Sequence, residues 1–167
     1  MRHRVTAKQK NAKMCFVCGM KNPFGLHSFF YELDNGELLG VFTPQEEHQG
    51  YPGRLHGGII TAILDETIGR AMNVKNPDVW GVTVEFTTRF RKPVPLGEEI
   101  RVVGRIVNDN RRLFEGTGEI ILKDGSVAVE GCGKYLILPI EKIADFDADA
   151  QEWKVVPSDD DPEEVEL

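Results

Sequence analysis

Long apolar runs are missing from this sequence of 167 residues. None reaches the roughly 18 consecutive apolar residues that a helix needs to cross a bilayer, so no membrane span is expected. Cysteine is scarce: Cys15, Cys18 and Cys132 are an odd, sparse set that gives no disulfide framework. Positive charge is in the minority as well, with 20 Lys and Arg against 27 Asp and Glu, a net charge of -7. Nucleic acid is therefore not expected as a main partner, because binding phosphates needs a basic surface. The opening MRHRVTAKQKNAKM is basic yet lacks the apolar stretch of a secretory signal, which makes the cytoplasm the expected location.

What is there suffices for one core. A chain of this length with 41% hydrophobic and 28% charged residues reads as a single globular domain. Its charge is uneven. DFDADAQEWKVVPSDDDPEEVEL (145–167) holds ten acidic residues and one lysine, leaving the body closer to neutral. A tail of that composition is expected to be solvated and mobile. The division expected is an N-terminal hook over 1–26, a folded domain over 27–140 and the acidic tail over 141–167.

CFVCG (15–19) has the C-x-x-C spacing of half a zinc site or of a redox pair. Zinc takes four ligands, and no second C-x-x-C or H-x₃-H pair exists, so only a site shared between two chains would complete it easily. A redox motif belongs beside a βαβ unit, which is missing too. Neither a metal nor another cofactor is expected, and the thiols read as small, semi-buried parts of the hook.

Beyond the NPFGL turn (22–26), HSFFYELDNGELLGVFTP (27–44) gives two β-rich runs hinged on Asn35-Gly36, a strong hairpin signal. QEEHQGYPGRLHGG (45–58) is too rich in Gly and Pro to be anything but loop. A helix is predicted over about 57–74. Ile59, Ile60, Ala62, Ile63, Leu64, Ile68, Ala71 and Met72 cover most of its circumference, so it is buried. Strands follow over about 79–94, 98–109, 113–125 and 126–138, joined by short turns that make the sheet largely antiparallel. One buried helix and about six strands have a simple α+β solution, a curved sheet wrapped around the helix: the hotdog fold.

RLHGGIITAILDE (54–66) puts Asp65 and Glu66 into that apolar helix. A mid-helix Asp in an apolar stretch is costly without a purpose. The stretch HGGIITAILDE resembles the His-Gly-Gly-x₆-Asp/Glu motif of hotdog-fold acyl-CoA thioesterases of the phenylacetate-pathway (PaaI-like) type. CFVCGMKNPFGL, HQGYPGRLHGG and KPVPLGE are similar to the same superfamily, over roughly residues 15–138. The resemblance implies hydrolysis of an acyl- or aryl-CoA thioester, coenzyme A being part of the substrate. It implies that the Gly57 amide polarises the thioester carbonyl while the Asp65 carboxylate of a partner subunit acts as nucleophile or general base. Spacing agrees, since eight residues of helix separate Gly57 from Asp65 by about 12 Å, too far for one carbonyl to touch both. A homodimer is the expected assembly, with pairing into tetramers open, and the strand near 79–91 is a plausible edge for it.

Other residues have two readings each. Asp65 is either catalytic or a structural carboxylate capping backbone amides, and Glu66, about 100° round the helix, is expected to be solvent-facing or structural. His56 either positions substrate or fixes the turn before the helix, the second being its main expected task; Gly58 is grouped with it at the substrate site. Where several relatives place Asn or Gln, six residues before the histidine, this chain has Gly50, with the amide displaced to Gln49. Thr83 matches a position where some relatives carry a water-orienting hydroxyl, although Thr also suits strands for its β-branching. Arg54, Arg89, Arg91 and Lys92 are candidates for coenzyme A phosphates, through the bidentate fork in the case of arginine; exposed arginines on strands are also simply solvated. Two rival functions stay open, an enoyl-thioester hydratase or dehydratase using a His with a carboxylate, and a non-catalytic acyl-CoA-binding module.

Overall fold

Asn35-Gly36 turns the chain as its sequence demands: Gly36 sits at φ 83°, a left-handed value that Gly adopts without penalty. It joins β2 (Phe29–Leu33) to β3 (Leu38–Phe42) in a computed structural model that describes residues 1–167. The one long helix, α1 (Gly57–Lys75), is capped by His56 at its start and by Asn76, immediately before Pro77, at its end. Behind it come β4 (Gly81–Phe90), β5 (Ile100–Asp109), β6 (Leu113–Ile121) and β7 (Val127–Ile137). The β5–β6 turn is tied by the Asn110 side chain, which accepts from the amides of Arg112 and Leu113. Every strand pairing is antiparallel.

The sheet has eight strands, not six: with β1 (Arg2–Lys8) and β8 (Glu164–Glu166) included, the order is β4-β7-β6-β5-β3-β2-β1-β8. These two extra strands pair with each other at the edge beyond β2. On the inner face, Phe30, Leu38, Ile100, Val102, Ile120 and Val129 enclose the helix residues Ile60, Ile63 and Leu64. Val17, Cys18 and Leu26 of the hook join that same core. The helix lies low on the sheet because a row of glycines in register, Gly104, Gly118 and Gly131, crosses β5, β6 and β7 beneath it. A Cβ at Gly104 would sit 2.8 Å from the Thr67 carbonyl oxygen. The sheet therefore wraps one helix, as the α+β hotdog reading requires.

The acidic tail departs from the solvated, mobile segment expected of its composition. Val165 is buried against Tyr31, Leu33, Leu39 and Val103 on the outer face of the sheet, an apolar patch the tail covers. Lys8 meets Asp161 at 2.5 Å, and the Tyr31 hydroxyl donates to the same carboxylate at 2.8 Å. Further back, Trp153 packs at an angle against Trp80 and edge-to-face against Phe146, while Asn11 and Lys154 exchange backbone hydrogen bonds. The tail's acids face the basic β1, so the charge run that reads as solvated is half of an edge-strand pair. No helix is long and apolar enough to cross a membrane.

Candidate functional site

His56 caps α1: its Nδ1 accepts from the Gly58 amide at 2.9 Å, and its carbonyl accepts from the amides of Ile59 and Ile60. Among the first-turn N–H groups this leaves Gly57 without a partner inside the chain. No acidic side chain occupies that turn, so the positive end of the helix dipole is uncompensated. The Phe90 ring lies beside it, 3.5 Å from where a Gly57 Cβ would be. A free N–H on a side-chain-free residue at a helix N-terminus is built to receive an oxygen carrying negative charge.

The loop before the cap is held by a histidine that sequence reasoning did not single out. His48 is buried, its Nδ1 accepts from the Gln45 amide at 2.9 Å, and its carbonyl accepts from the His56 amide at 3.0 Å. With Nδ1 accepting, the ring's Nε2 donates to the Phe24 carbonyl at 2.9 Å. Gln49 turns its side-chain oxygen inward to the Gly53 amide at 3.1 Å. At Gly50 a Cβ would stand 3.1 Å from the His56 Cα, so position 50 has little room for the amide side chain that relatives place there.

Two turns along the helix, Asp65 is half-buried and held by hydroxyls. Thr83 on β4 donates to its Oδ1 at 2.8 Å, and Tyr135 on β7 donates to the same atom at 3.1 Å and to the Asp65 carbonyl at 3.0 Å. The second carboxylate oxygen, Oδ2, has no partner within the chain. Burial pushes the Asp65 carboxyl above the ordinary aspartate range, against the pull of the two hydroxyls. Tyr135 is fixed by stacking on Phe114 at 4.7 Å and, pressed by burial and by the Asp65 charge, stays a neutral donor. Nothing in the strand pattern of KYLIL marked it; only its register opposite the helix brings it to the carboxylate.

Asp65, Thr83 and Tyr135 open on a cavity of about 410 Å³ that Trp80 and the tail's Trp153 also line. Gly57, Gly58, His56, Gln49 and the candidate arginines Arg54, Arg89 and Arg91 are not part of it, whereas Glu66 and Arg70 are. Arg89 and Arg91 flank Phe90 near the helix N-terminus; Arg91 is paired with Glu130 at 2.8 Å, while Arg89, Arg54 and Lys92 are exposed without an ionic partner. Gly57 at the helix N-terminus and Asp65 on the cavity thus lie apart on one chain. The larger cavity, about 820 Å³, lies on the outer face around Tyr31 and Arg101 and contains neither.

Residues 52–129 match the family model described as the thioesterase superfamily. Human acyl-coenzyme A thioesterase 13 is 26% identical over 78 residues, 47% of this chain and 56% of that protein. Among solved structures, the thioesterase superfamily protein RHA08564 is 30% identical, with a TM-score of 0.67 over 73% of this chain and 59% of its own. The Escherichia coli PaaI protein from the phenylacetic acid degradation operon superposes with a TM-score of 0.61 over 68% of this chain and 80% of its own. At 17% identity that second likeness speaks for the fold alone. The chain spans 56–61% of the length of the first curated relatives it matches. An antiparallel sheet wrapped around one helix, with a match to the thioesterase superfamily model over the segment that carries Gly57, Asp65 and Thr83, makes this chain similar to the hotdog-fold thioesterases.

Proposed function

We propose that this chain hydrolyses an acyl- or aryl-CoA thioester at a site shared by two copies, in which Gly57 of one protomer faces Asp65 of the other. The observation that carries the reading is the separation of the half-sites: an unpartnered N–H at Gly57 and an unpartnered Asp65 Oδ2, about 12 Å apart along one helix. The edge strand β4 supports it. β4 ends the sheet, and Val84 and Phe90 are each 54% exposed there. A long edge with exposed apolar residues invites pairing with its own copy.

In the reaction the thioester carbonyl oxygen accepts from the Gly57 amide, where the dipole stabilises the oxyanion of the tetrahedral intermediate. Thr83 and Tyr135 hold Oδ1 and leave Oδ2 to work. Acting as base, Oδ2 takes a proton from water as the water oxygen bonds to the carbonyl carbon. Collapse of the intermediate expels coenzyme A thiolate, which takes the proton back, and releases the free acid. As nucleophile, Oδ2 instead forms an anhydride that water opens in a second step. A single turnover in ¹⁸O-water identifies the anhydride route where water opens it at the Asp65 carbon, because the label then appears on Asp65, which direct attack by water on the thioester never labels.

His56 spends its Nδ1 on capping, which weighs against a His-carboxylate hydratase. The test is thiol release from aryl-, short- and long-chain acyl-CoAs, with water addition to a 2,3-enoyl-CoA followed in parallel. Release of thiol from at least one thioester supports the proposal. Binding with no thiol release, or water addition alone, overturns it.

A further inference from the structure

The fold supplies what the C-x-x-C motif lacked, a third ligand and a reason for its placement. Cys15 Sγ, Cys18 Sγ and a carboxylate oxygen of Glu66 lie within 4.8 Å of one another. Glu66 is on α1, one residue past Asp65, so the cluster joins the N-terminal hook to the helix that carries the candidate carboxylate.

The turn is shaped around the sulfurs. The Gly19 amide donates to the Cys15 carbonyl at 2.8 Å, and the Cys18 amide approaches Cys15 Sγ at 3.5 Å. Only glycine fits at 19, where a Cβ would stand 2.3 Å from the Cys15 carbonyl oxygen. Asn11 grips the turn from behind, donating to the Cys18 carbonyl at 2.8 Å. Opposite lies Arg70, buried between the rings of Phe30 and Trp153. Its Nε meets Glu66 Oε1 at 2.7 Å and its Nη2 meets Cys18 Sγ at 3.0 Å.

We propose that Cys15, Cys18 and Glu66 bind one divalent thiophilic metal ion of the zinc class, with Arg70 as the partner that orients its ligands. Charge favours this occupant: two thiolates and one carboxylate are neutralised by one dication and the guanidinium. Ligand sulfurs around tetrahedral zinc stand about 3.8 Å apart, given bonds of about 2.3 Å, so the cluster needs to close by only about 1 Å. Glu66 keeps one carboxylate oxygen on Arg70 and turns the other to the metal, the arrangement in which outer partners fix ligand geometry. Binding exchanges two thiol protons for the ion, and both protons go to solvent. A fourth position stays open to water. The ion's task is to clamp residues 15–18 onto α1, independent of whether the chain is a hydrolase.

The experiment is metal analysis of the full chain purified under reducing conditions from zinc-replete cells, followed by cobalt(II) titration of the stripped, reduced protein. A metal-to-chain ratio near one, together with a thiolate-to-cobalt charge-transfer band that saturates at one equivalent, supports the site. The Cys15→Ser and Cys18→Ser variants should each weaken that band, and Glu66→Gln should lower affinity while leaving the band. Because the first two measurements use the unmutated protein, a variant that fails to fold does not spoil the test. A metal-free protein that takes up no cobalt, or one whose resting state is a Cys15–Cys18 disulfide, overturns it.

Discussion

Two inactive variants mixed together test the shared site in the most demanding way. Asp65→Asn removes the working charge yet keeps an oxygen for Thr83 and Tyr135 to bond. Gly57→Val fills the space where a carbonyl must approach the helix N-terminus. It should fold, since a Cβ there meets only the Phe90 ring, at 3.5 and 3.6 Å, an ordinary van der Waals contact. Loss of a positioned base or of an oxyanion donor costs about 10²-fold or more, so each homodimer should retain about 1% of wild-type turnover or less. Unfolded and refolded together with random pairing, about half of the dimers are mixed, and each mixed dimer has one doubly defective and one intact site. About a quarter of all sites then work, so thiol release should rise about 25-fold above either parent. A mixture as inactive as its parents, with heterodimers shown by native mass spectrometry, would refute the two-chain site.

The other expectations can be checked separately. Tyr135→Phe keeps the stack on Phe114 and deletes the bonds to Asp65, so stability should fall by about 1 kcal/mol in denaturant titration. Its kcat should fall far less than that of Asp65→Asn; an equal loss would make Tyr135 a participant. Gly104→Ala forces a methyl group to 2.8 Å from the Thr67 carbonyl oxygen and should cost about 1–3 kcal/mol, visible as a lower midpoint of thermal unfolding. An unchanged midpoint would show that the helix does not sit as low on the sheet as described. The tail should detach in acid: burial raises the Asp161 carboxyl, but bonds from Lys8, the Ser158 amide and Tyr31 outweigh it, leaving it below the ordinary aspartate value. A depressed value means that the docking contribution is complete above the unfolded value of about 3.9 and fades as pH falls through the lower folded value. Trp153 fluorescence should therefore report a step below about pH 3.9 that Asp161→Asn abolishes; one unchanged by that variant would contradict the assignment.

Local signals were legible where side-chain pattern and backbone geometry agree. Asn35-Gly36, the apolar helix and the four strands after it all follow from turn chemistry and periodicity. β1 and β8 were not, because neither has an apolar run of its own. β1 is basic, β8 is three residues of an acidic segment, and their attraction exists only once the fold has brought the two ends together. The residues proposed as half-sites stand out in the sequence for a related reason. A carboxylate in an apolar helix and a glycine pair at its start are local anomalies, visible one residue at a time. Tyr135, His48 and Arg70 are ordinary in their own segments and gain meaning only through long-range register. Glu66 and the C-x-x-C turn are separated by nearly fifty positions in the chain, so no spacing rule joins them.

The central claim is that the Asp65 carboxylate drives thioester hydrolysis, and one comparison tests it most directly. Wild-type protein and Asp65→Asn, at equal folded concentration and in the same oligomeric state, are given the acyl-CoA that the wild type turns over fastest. The expected result is a fall in thiol release of about 10²-fold or more, with fold and assembly intact. Turnover near that of the wild type would remove Asp65 from the chemistry and contradict the account.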